Sequence, residues 1–506
     1  MTAEFISLPD AQPELQPSTG GPALYEAVIG LEVHCQLLTN SKIFAGDANA
    51  FGADPNTNIS VITLGHPGTL PKLNRKAVEF AVRMGLACNS TITRHNIFAR
   101  KNYFYPDLPK GYQLSQDKGP ICVGGGVAIT AKDPETGQPY HTTIQLHHIH
   151  LEEDAGKSIH DGNDWTTQLD YNRAGTPLIE MVTEPCLRTA DEAGQYLTEV
   201  RRMVRYLGIC DGNMEEGSLR CDVNVSIRPR GATQLGTKVE VKNLNSIRNV
   251  MRAVDSEFSR QVELTTSGGR IIQETRTFDA TTGRSQAMRE KETMNDYRYF
   301  PDPDLAPVVI SDTWLAEIEA QMPMLPAERY QKFVAVYGLP DYDAALLTDA
   351  KELADYYESV CEHTTNYKAA SNWIMGPVKG HLNEKTLRER QFPVTAGQLA
   401  ALITAIDNGT ISQTAGQQVF ALLVNQPDAE PVDLATKHGL LQNRNTDVLQ
   451  TLVEEVLSAW PDKVEQYRKG KKNLLGMFVG EVMKKSQGSA DPKLVNQLVT
   501  KQLETK

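Results

Sequence analysis

Glu32 and His34 stand two residues apart in the stretch 27–36, where Ala27, Ile29, Leu31, Val33 and Cys35 alternate with Glu32, His34 and Gln36. Period-two alternation is the pattern of a strand buried on one face, and it sends the carboxylate and the imidazole to the same side, about 7 Å apart along the chain. Two such groups can converge on one ion, although a solvated polar face gives the same pattern. Further acids follow at Glu152, Glu153 and Asp154, ending a stretch that holds His147, His148 and His150 and preceding Gly156-Lys157. Three adjacent carboxylates repel one another unless a cation or basic group offsets them; a charged turn tip is the plainer reading. The histidines match no closed zinc spacing. Glu180 interrupts the apolar run Pro177-Leu-Ile-Glu-Met-Val182, where an unpartnered carboxylate is costly. Its partner is a structural arginine or a cation. Oxygen donors with one imidazole suit a hard divalent ion, and Mg²⁺ bridging nucleotide phosphates uses one or two carboxylates plus water.

Cationic groups gather at Arg276, Arg284, Arg289 and Arg298, and forked guanidiniums suit phosphates. No Gly-x-x-x-x-Gly-Lys-Ser/Thr sequence occurs, and Gly124-Gly125-Gly126 lacks the following Lys-Ser/Thr. An ATP site built on a sheet is the expectation that remains. At the other end, residues 461–506 hold ten Lys or Arg against five Asp or Glu, in a chain whose net charge is −12. Arg468, Lys469, Lys471, Lys472, Lys484 and Lys485 interleave there with Leu474, Leu475, Met477 and Phe478. A helical segment meeting RNA phosphates and a solvated helix face both fit.

The elements that must position these groups fall into two regimes. Up to about residue 310 the chain is strand-rich. Leu219, Cys221, Val223, Val225 and Ile227 alternate with Arg220, Asp222, Asn224, Ser226 and Arg228, and the stretch 238–242 repeats the pattern. Strands that each turn a charged face outward predict an antiparallel sheet covered on one side. A helix is expected over 190–207, with Thr189 capping it and acids in its first turn. Beyond 311 the pattern turns helical: 312–321, 349–361 behind Thr348, 396–406 behind Thr395 and ended by Asn408-Gly409, and 412–424. The loop 426–431 suggests a further boundary.

At 506 residues the chain exceeds one ordinary core. No apolar run reaches the roughly 18 residues of a membrane span. Its seven cysteines are scattered without a Cys-x-x-Cys pair, which fits a reducing cytoplasm. Residues 1–22 lack basic groups and read as a disordered leader.

Taken together, seven segments resemble one family: Val28-Ile-Gly-Leu-Glu-Val-His34, Arg100-Lys-Asn-Tyr-Phe-Tyr-Pro-Asp107, Glu152-Glu-Asp-Ala-Gly-Lys157, Asn172-Arg-Ala-Gly-Thr-Pro-Leu-Ile-Glu180, Met214-Glu-Glu-Gly-Ser-Leu-Arg-Cys-Asp222, Lys242-Asn-Leu-Asn-Ser246 and Tyr297-Arg-Tyr-Phe-Pro-Asp302. They are similar to the B subunit of the heterotrimeric tRNA-dependent amidotransferase. The resemblance implies an α+β chain. Its catalytic cradle, of the glutamine synthetase and guanido kinase kind, would occupy 23–310, a helical domain 311–430, and a tRNA-binding tail 431–506. It implies ATP and Mg²⁺, a glutaminase A subunit and a small C subunit as partners, and misacylated tRNA(Gln) or tRNA(Asn) as substrate. By matching positions, His34, Glu153 and Glu180 would hold Mg²⁺, with Glu32 and Glu216 beside them and Lys101 and Asp222 where ammonia arrives. Arg276, Arg289 and Arg298 would face ATP. Many members carry a zinc knuckle; here those positions read Ala45, Asp47, Ser60 and Thr63, so structural zinc is not expected. The competing readings are a stand-alone ATP-dependent amide ligase and a non-catalytic tRNA-binding scaffold.

Overall fold

The computed structural model describes residues 24–159, 166–290, 297–385, 392–442, 445–486 and 490–504; the expected leader lies outside them. Ten strands form the spine of the first part of the chain: β1 (Tyr25–Gln36), β2 (Ala99–Asn102), β3 (Tyr112–Ser115), β4 (Pro139–Glu153), β5 (Pro177–Thr183), β6 (Leu219–Pro229), β7 (Val239–Leu244), β8 (Glu274–Asp279), β9 (Arg284–Glu290) and β10 (Phe300–Pro301). Across the sheet they run β9-β8-β7-β6-β1-β5-β4-β3-β2-β10. Neighbours are antiparallel except β7 and β8, which are parallel. The sheet is therefore mixed rather than purely antiparallel, because α3 (Ile247–Thr266) carries the chain across between those two strands.

The alternation sorts the strands as the pattern requires. Ile29, Leu31, Val33 and Cys35 of β1 and Leu219, Cys221, Val223 and Val225 of β6 are all buried in one core, with α1 (Arg75–Ala87), α2 (Ala190–Tyr206) and α3 contributing apolar side chains to it. Thr189 accepts from Glu192 N while the Glu192 carboxylate accepts from Thr189 N, a capping box that fixes the start of α2. The opposite face of the sheet is polar.

The chain divides into two compact units, one through Leu325 and the other from Pro326. The boundary falls later than the pattern change at 310, because the helix α4 (Asp312–Ala320) returns to the sheet's core through Ile318, and its Trp314 lies 4.4 Å from the Arg75 guanidinium of α1. The second unit is helical and holds two separate cores. One spans Phe333 to Ala435 and the other Leu449 to Leu503. Here Thr395 and Gln398 form a second capping box for the helix Ala396–Asp407. Thr348, expected to open a helix, instead closes the one at Asp341–Leu347, its hydroxyl donating to Ala344 O, and the next begins at Lys351. Among the described residues no helix is long and apolar enough to cross a membrane.

Candidate functional site

Register brings the polar side chains of four strands into one row. His34 of β1 pairs with Glu180 of β5 on one side and with Arg220 of β6 on the other, and Glu180 pairs in turn with His150 of β4. Glu152, two residues beyond His150, rises on the same side. The outcome is a cluster in which His34 Nε2 lies 3.3 Å from Glu180 Oε2 and 3.6 Å from Glu152 Oε1. His150 Nε2 sits 3.2 Å from Glu180 and 3.7 Å from Glu152. One ligand atom each from His34, Glu152 and Glu180 falls within 4.8 Å of the others.

Burial pushes the His34 ring toward its neutral form, but Glu180 and Glu152 outweigh it and lift it to about 9; His150 rises to about 10 against the same desolvation. Glu180, which burial alone would push up, is held well below the ordinary carboxylate range by those two rings. In a protein without a cation, imidazolium protons thus offset the two carboxylates. The donor set of two carboxylates and one imidazole fits a hard divalent ion, which would take the place of a proton on His34.

Glu153 corrects the expectation. Leu151 and Ile149 point into the core, and period two carries Glu153 with them, away from the cluster. Its Oε1 accepts from Lys110 Nζ at 2.5 Å and from Leu114 N at 2.9 Å. Glu152 is the acid that stands with His34 and Glu180. The alternation of His148, His150 and Glu152 with Ile149 and Leu151 was present in the sequence and places Glu152, not Glu153, on the side of His34.

A second group of acids lies one register step along: Glu32, Asp222 and Glu240, with ligand atoms again within 4.8 Å. Glu32 pairs with Asp222 across β1 and β6 and accepts from Asn224 Nδ2 at 2.9 Å. Burial, then the charge of Glu180, raises its carboxyl. Lys242 bridges Asp222 at 2.5 Å and Glu240 at 2.9 Å, so this group has its counter-ion within the chain. After Lys242 the register shifts, and Asn243 takes a left-handed conformation with φ 63°. Its amide donates to Thr277 of β8, a bulge that re-aims the strand end.

Lys101 stands over Tyr297 at 5.1 Å; burial disfavours its charge, yet the carboxylates of Glu152 and Glu180 and the phenols of Tyr299 and Tyr103 raise its pKa. Arg220 places one Nη2 on the buried Asp154 at 2.9 Å, and its Nε has no hydrogen-bond partner. Pattern reading put Arg220 on the polar face without giving it a role. Glu32, His34, Lys101, Glu180, Arg220 and Lys242 all line one open cleft of about 820 Å³, within the roughly 300–1,000 Å³ usual for a small-molecule site.

The remaining expected residues are not brought there. Glu216 is exposed in the turn before β6 and does not line the cleft. Arg276 pairs with Val241, so it points to the core side of the sheet. There it meets Glu274 at 2.6 Å, the Ser285 hydroxyl at 2.8 Å and the fully buried Glu257 at 3.7 Å. That arginine serves the sheet rather than a nucleotide. Arg289 pairs with Thr275 in β9; its side chain lies outside the described residues. Arg298 is exposed with φ 45°. At the knuckle positions, Asp47 accepts from the hydroxyls of Ser60 at 3.0 Å and of Thr63, so hydrogen bonds close this loop. In the second unit Arg468, Lys469, Lys471, Lys472, Lys484 and Lys485 are all exposed while Phe478 is fully buried. Several of the six also have partners within the chain: Arg468 Nε donates to Leu503 O, Lys469 pairs with Glu465, Lys471 donates to Gln466, and Lys485 pairs with Glu455.

The sequence matches the GatB/GatE catalytic domain over residues 27–316 and the GatB domain over 355–503. Among curated proteins it is similar to the B subunit of the aspartyl/glutamyl-tRNA(Asn/Gln) amidotransferase of Chlorobaculum tepidum, at 49% identity over 480 residues, covering 95% of this chain and 99% of that protein. The proteins of the same name from Trichlorobacter lovleyi and Thermosynechococcus vestitus are 48% and 47% identical, over 95% and 97% of this chain and 99% of each relative. With both domain models matched and nearly half of all positions shared end to end, the chain belongs to the family of aspartyl/glutamyl-tRNA(Asn/Gln) amidotransferase B subunits.

Proposed function

We propose that this chain uses ATP to activate the side-chain carboxyl of Glu on tRNA(Gln), Asp on tRNA(Asn), or both, and then joins it to ammonia from a glutaminase A subunit, with a small C subunit holding the pair together. The carboxylate oxygen attacks the γ-phosphorus of ATP and the bond to ADP breaks. Ammonia then attacks the acyl carbon, and the phosphate leaves with ammonia's proton. The observation that carries this reading is the row His150, Glu180, His34 and Arg220 across four strands, with Lys101 beside it, in one open cleft of small-molecule size.

His34, Glu152 and Glu180 would hold Mg²⁺, which when bound neutralises phosphate charge and favours phosphoryl transfer. Lys101, kept charged by the acids around it, faces the anionic groups of either substrate. Arg220, oriented by Asp154, presents its outer edge to a phosphate without losing orientation. Lys242 holds Asp222 and Glu240 in place, two carboxylates beside the point where an attacking ammonia sheds its proton. The exposed lysines of residues 468–485 supply charge for tRNA phosphates. No zinc is assigned to the loop at Asp47, whose hydrogen bonds take that part.

The test reconstitutes the chain with A and C subunits, supplies Glu-tRNA(Gln) or Asp-tRNA(Asn), and follows ATP-dependent formation of the amidated aminoacyl-tRNA. Formation of product with glutamine or ammonia but without ATP overturns the activation step. Consumption of ATP with a free amino acid in place of aminoacyl-tRNA favours the stand-alone ligase.

A further inference from the structure

Beside the acid cluster, three tyrosines form a ledge. The rings of Tyr103 and Tyr297 lie 6.0 Å apart at 70°, and those of Tyr297 and Tyr299 6.0 Å apart at 76°. Edge-to-face is a preferred packing of aromatic pairs, and Tyr299 at the end of the row keeps ring surface open to solvent. The backbone beneath is clamped. Asn102 N donates to Tyr297 O at 2.9 Å, its Nδ2 donates to Arg298 O at 2.9 Å, and Arg298 between the two tyrosines adopts φ 45°. A bulky residue in that region is strained, and the strain persists because the asparagine holds both carbonyls.

Lys101 joins the ledge to the site: its ammonium stands over the Tyr297 ring at 5.1 Å, and it lines the same cleft as Tyr103, Glu152 and Glu180. Tyr299 is 38% exposed, so this row of tyrosines begins in the cleft and ends at solvent.

We infer that Tyr103, Tyr297 and Tyr299 stack the unpaired terminal base of the RNA whose aminoacyl group enters the cleft. The inference rests on the reading that aminoacyl-tRNA is the substrate. Aromatic faces beside a lysine suit single-stranded RNA, since every base offers a π-face and every nucleotide a phosphate. A mononucleotide such as ATP would fit within the cleft itself; a ledge that runs from the cleft to solvent suits a polymer that arrives from outside.

The experiment uses the full complex and two RNA stem-loops, one with its natural single-stranded 3′ tail and one with an abasic 3′-terminal nucleotide. Binding is followed by fluorescence anisotropy for the wild type, Tyr299→Leu, Tyr297→Leu with Tyr299→Leu, and the corresponding double Phe variant. The wild type should bind the abasic RNA roughly tenfold more weakly, as expected for one lost stack. The double Leu variant should bind both RNAs alike, and the Phe variant should keep the discrimination. Tyr299→Leu alone, at a residue more than a third exposed, should reduce the discrimination without disturbing the fold.

Equal binding of both RNAs by the wild type overturns the inference, as does full discrimination by the Leu variants. A loss shared equally by both RNAs assigns the ledge to a partner subunit instead, and a rise in the KM for ATP alone assigns it to the adenine of ATP. Failure of the amidation reading is seen separately, as absence of amidated product from the wild-type complex on intact misacylated tRNA.

Discussion

Glu152 and Glu153 are adjacent acids with opposite surroundings, and replacing each by Gln separates the cation site from the fold. Glu152 faces two imidazoles, and losing its charge removes one of the two carboxylates that attract a divalent ion. Since changing groups outside the coordination shell weakens metal binding roughly 10–100-fold, a donor itself should cost about a hundredfold or more. The fold should barely notice, because Gln keeps the shape and the two rings lose protons they no longer need. Glu153 is 3% exposed and pairs with Lys110, whose side chain is 12% exposed. Glu153→Gln leaves a nearly buried ammonium without its counter-ion, a loss of about 3 kcal/mol at the lower end for broken buried pairs. For a unit of this size that lowers Tm by roughly 4–8 °C. Titration of the full complex with Mn²⁺, read by electron paramagnetic resonance, should show binding lost in Glu152→Gln and retained within about threefold in Glu153→Gln, with the Tm change reversed. Loss of the ion in Glu153→Gln and its retention in Glu152→Gln would refute the assignment of these two side chains.

The cation site should also respond to pH. With His34 raised to about 9 by its carboxylates, an ion on its Nε2 displaces a proton at every lower pH, so apparent Mn²⁺ affinity should rise roughly tenfold per unit between pH 6 and 8; a flat profile contradicts this. In the ion-free protein the sign reverses: a raised histidine stabilises fully below its ordinary 6.5 and ceases to do so as pH rises through about 9, so Tm measured with a chelator present should fall over that window. Replacing Asp47 by Ala removes the acceptor of both Ser60 and Thr63 and should lower Tm by roughly the 1–3 °C that about 1 kcal/mol produces, while a strong zinc chelator leaves the wild type unchanged; a chelator-induced fall in Tm points to a metal in the loop. Changing Lys471, Lys472, Lys484 and Lys485 to Gln should weaken tRNA binding and reduce the slope of log affinity against log salt by about 0.7–0.9 for each phosphate no longer neutralised; an unchanged slope removes this surface from the tRNA site.

Much of this was legible in the chain. Period two placed Ile29, Leu31 and Val33 inward and Glu32 and His34 outward, and the structure sorts them so, because a strand covered on one face has no other way to bury its apolar set. Caps were equally local: Thr189 with Glu192 and Thr395 with Gln398 satisfy the first amides of a helix from within four residues. Thr348 shows the limit, since the same side chain can open one helix or close another, and packing on both sides decides which.

What the sequence determined by itself was the polar face, the residue types on it and the family they belong to. What only the tertiary structure decided was which of those residues meet. His34, Glu180, Arg220 and His150 lie on four strands far apart in the chain, and their row exists because register aligns them. A one-residue slip would have sent each to the core. Register depends on turns, bulges and the parallel β7–β8 pair made through α3, none of which a local pattern encodes. The same nonlocal pairing set Arg276 on the core side with Glu257 and Glu274, and turned Glu153 to Lys110 while Glu152 faced the cleft.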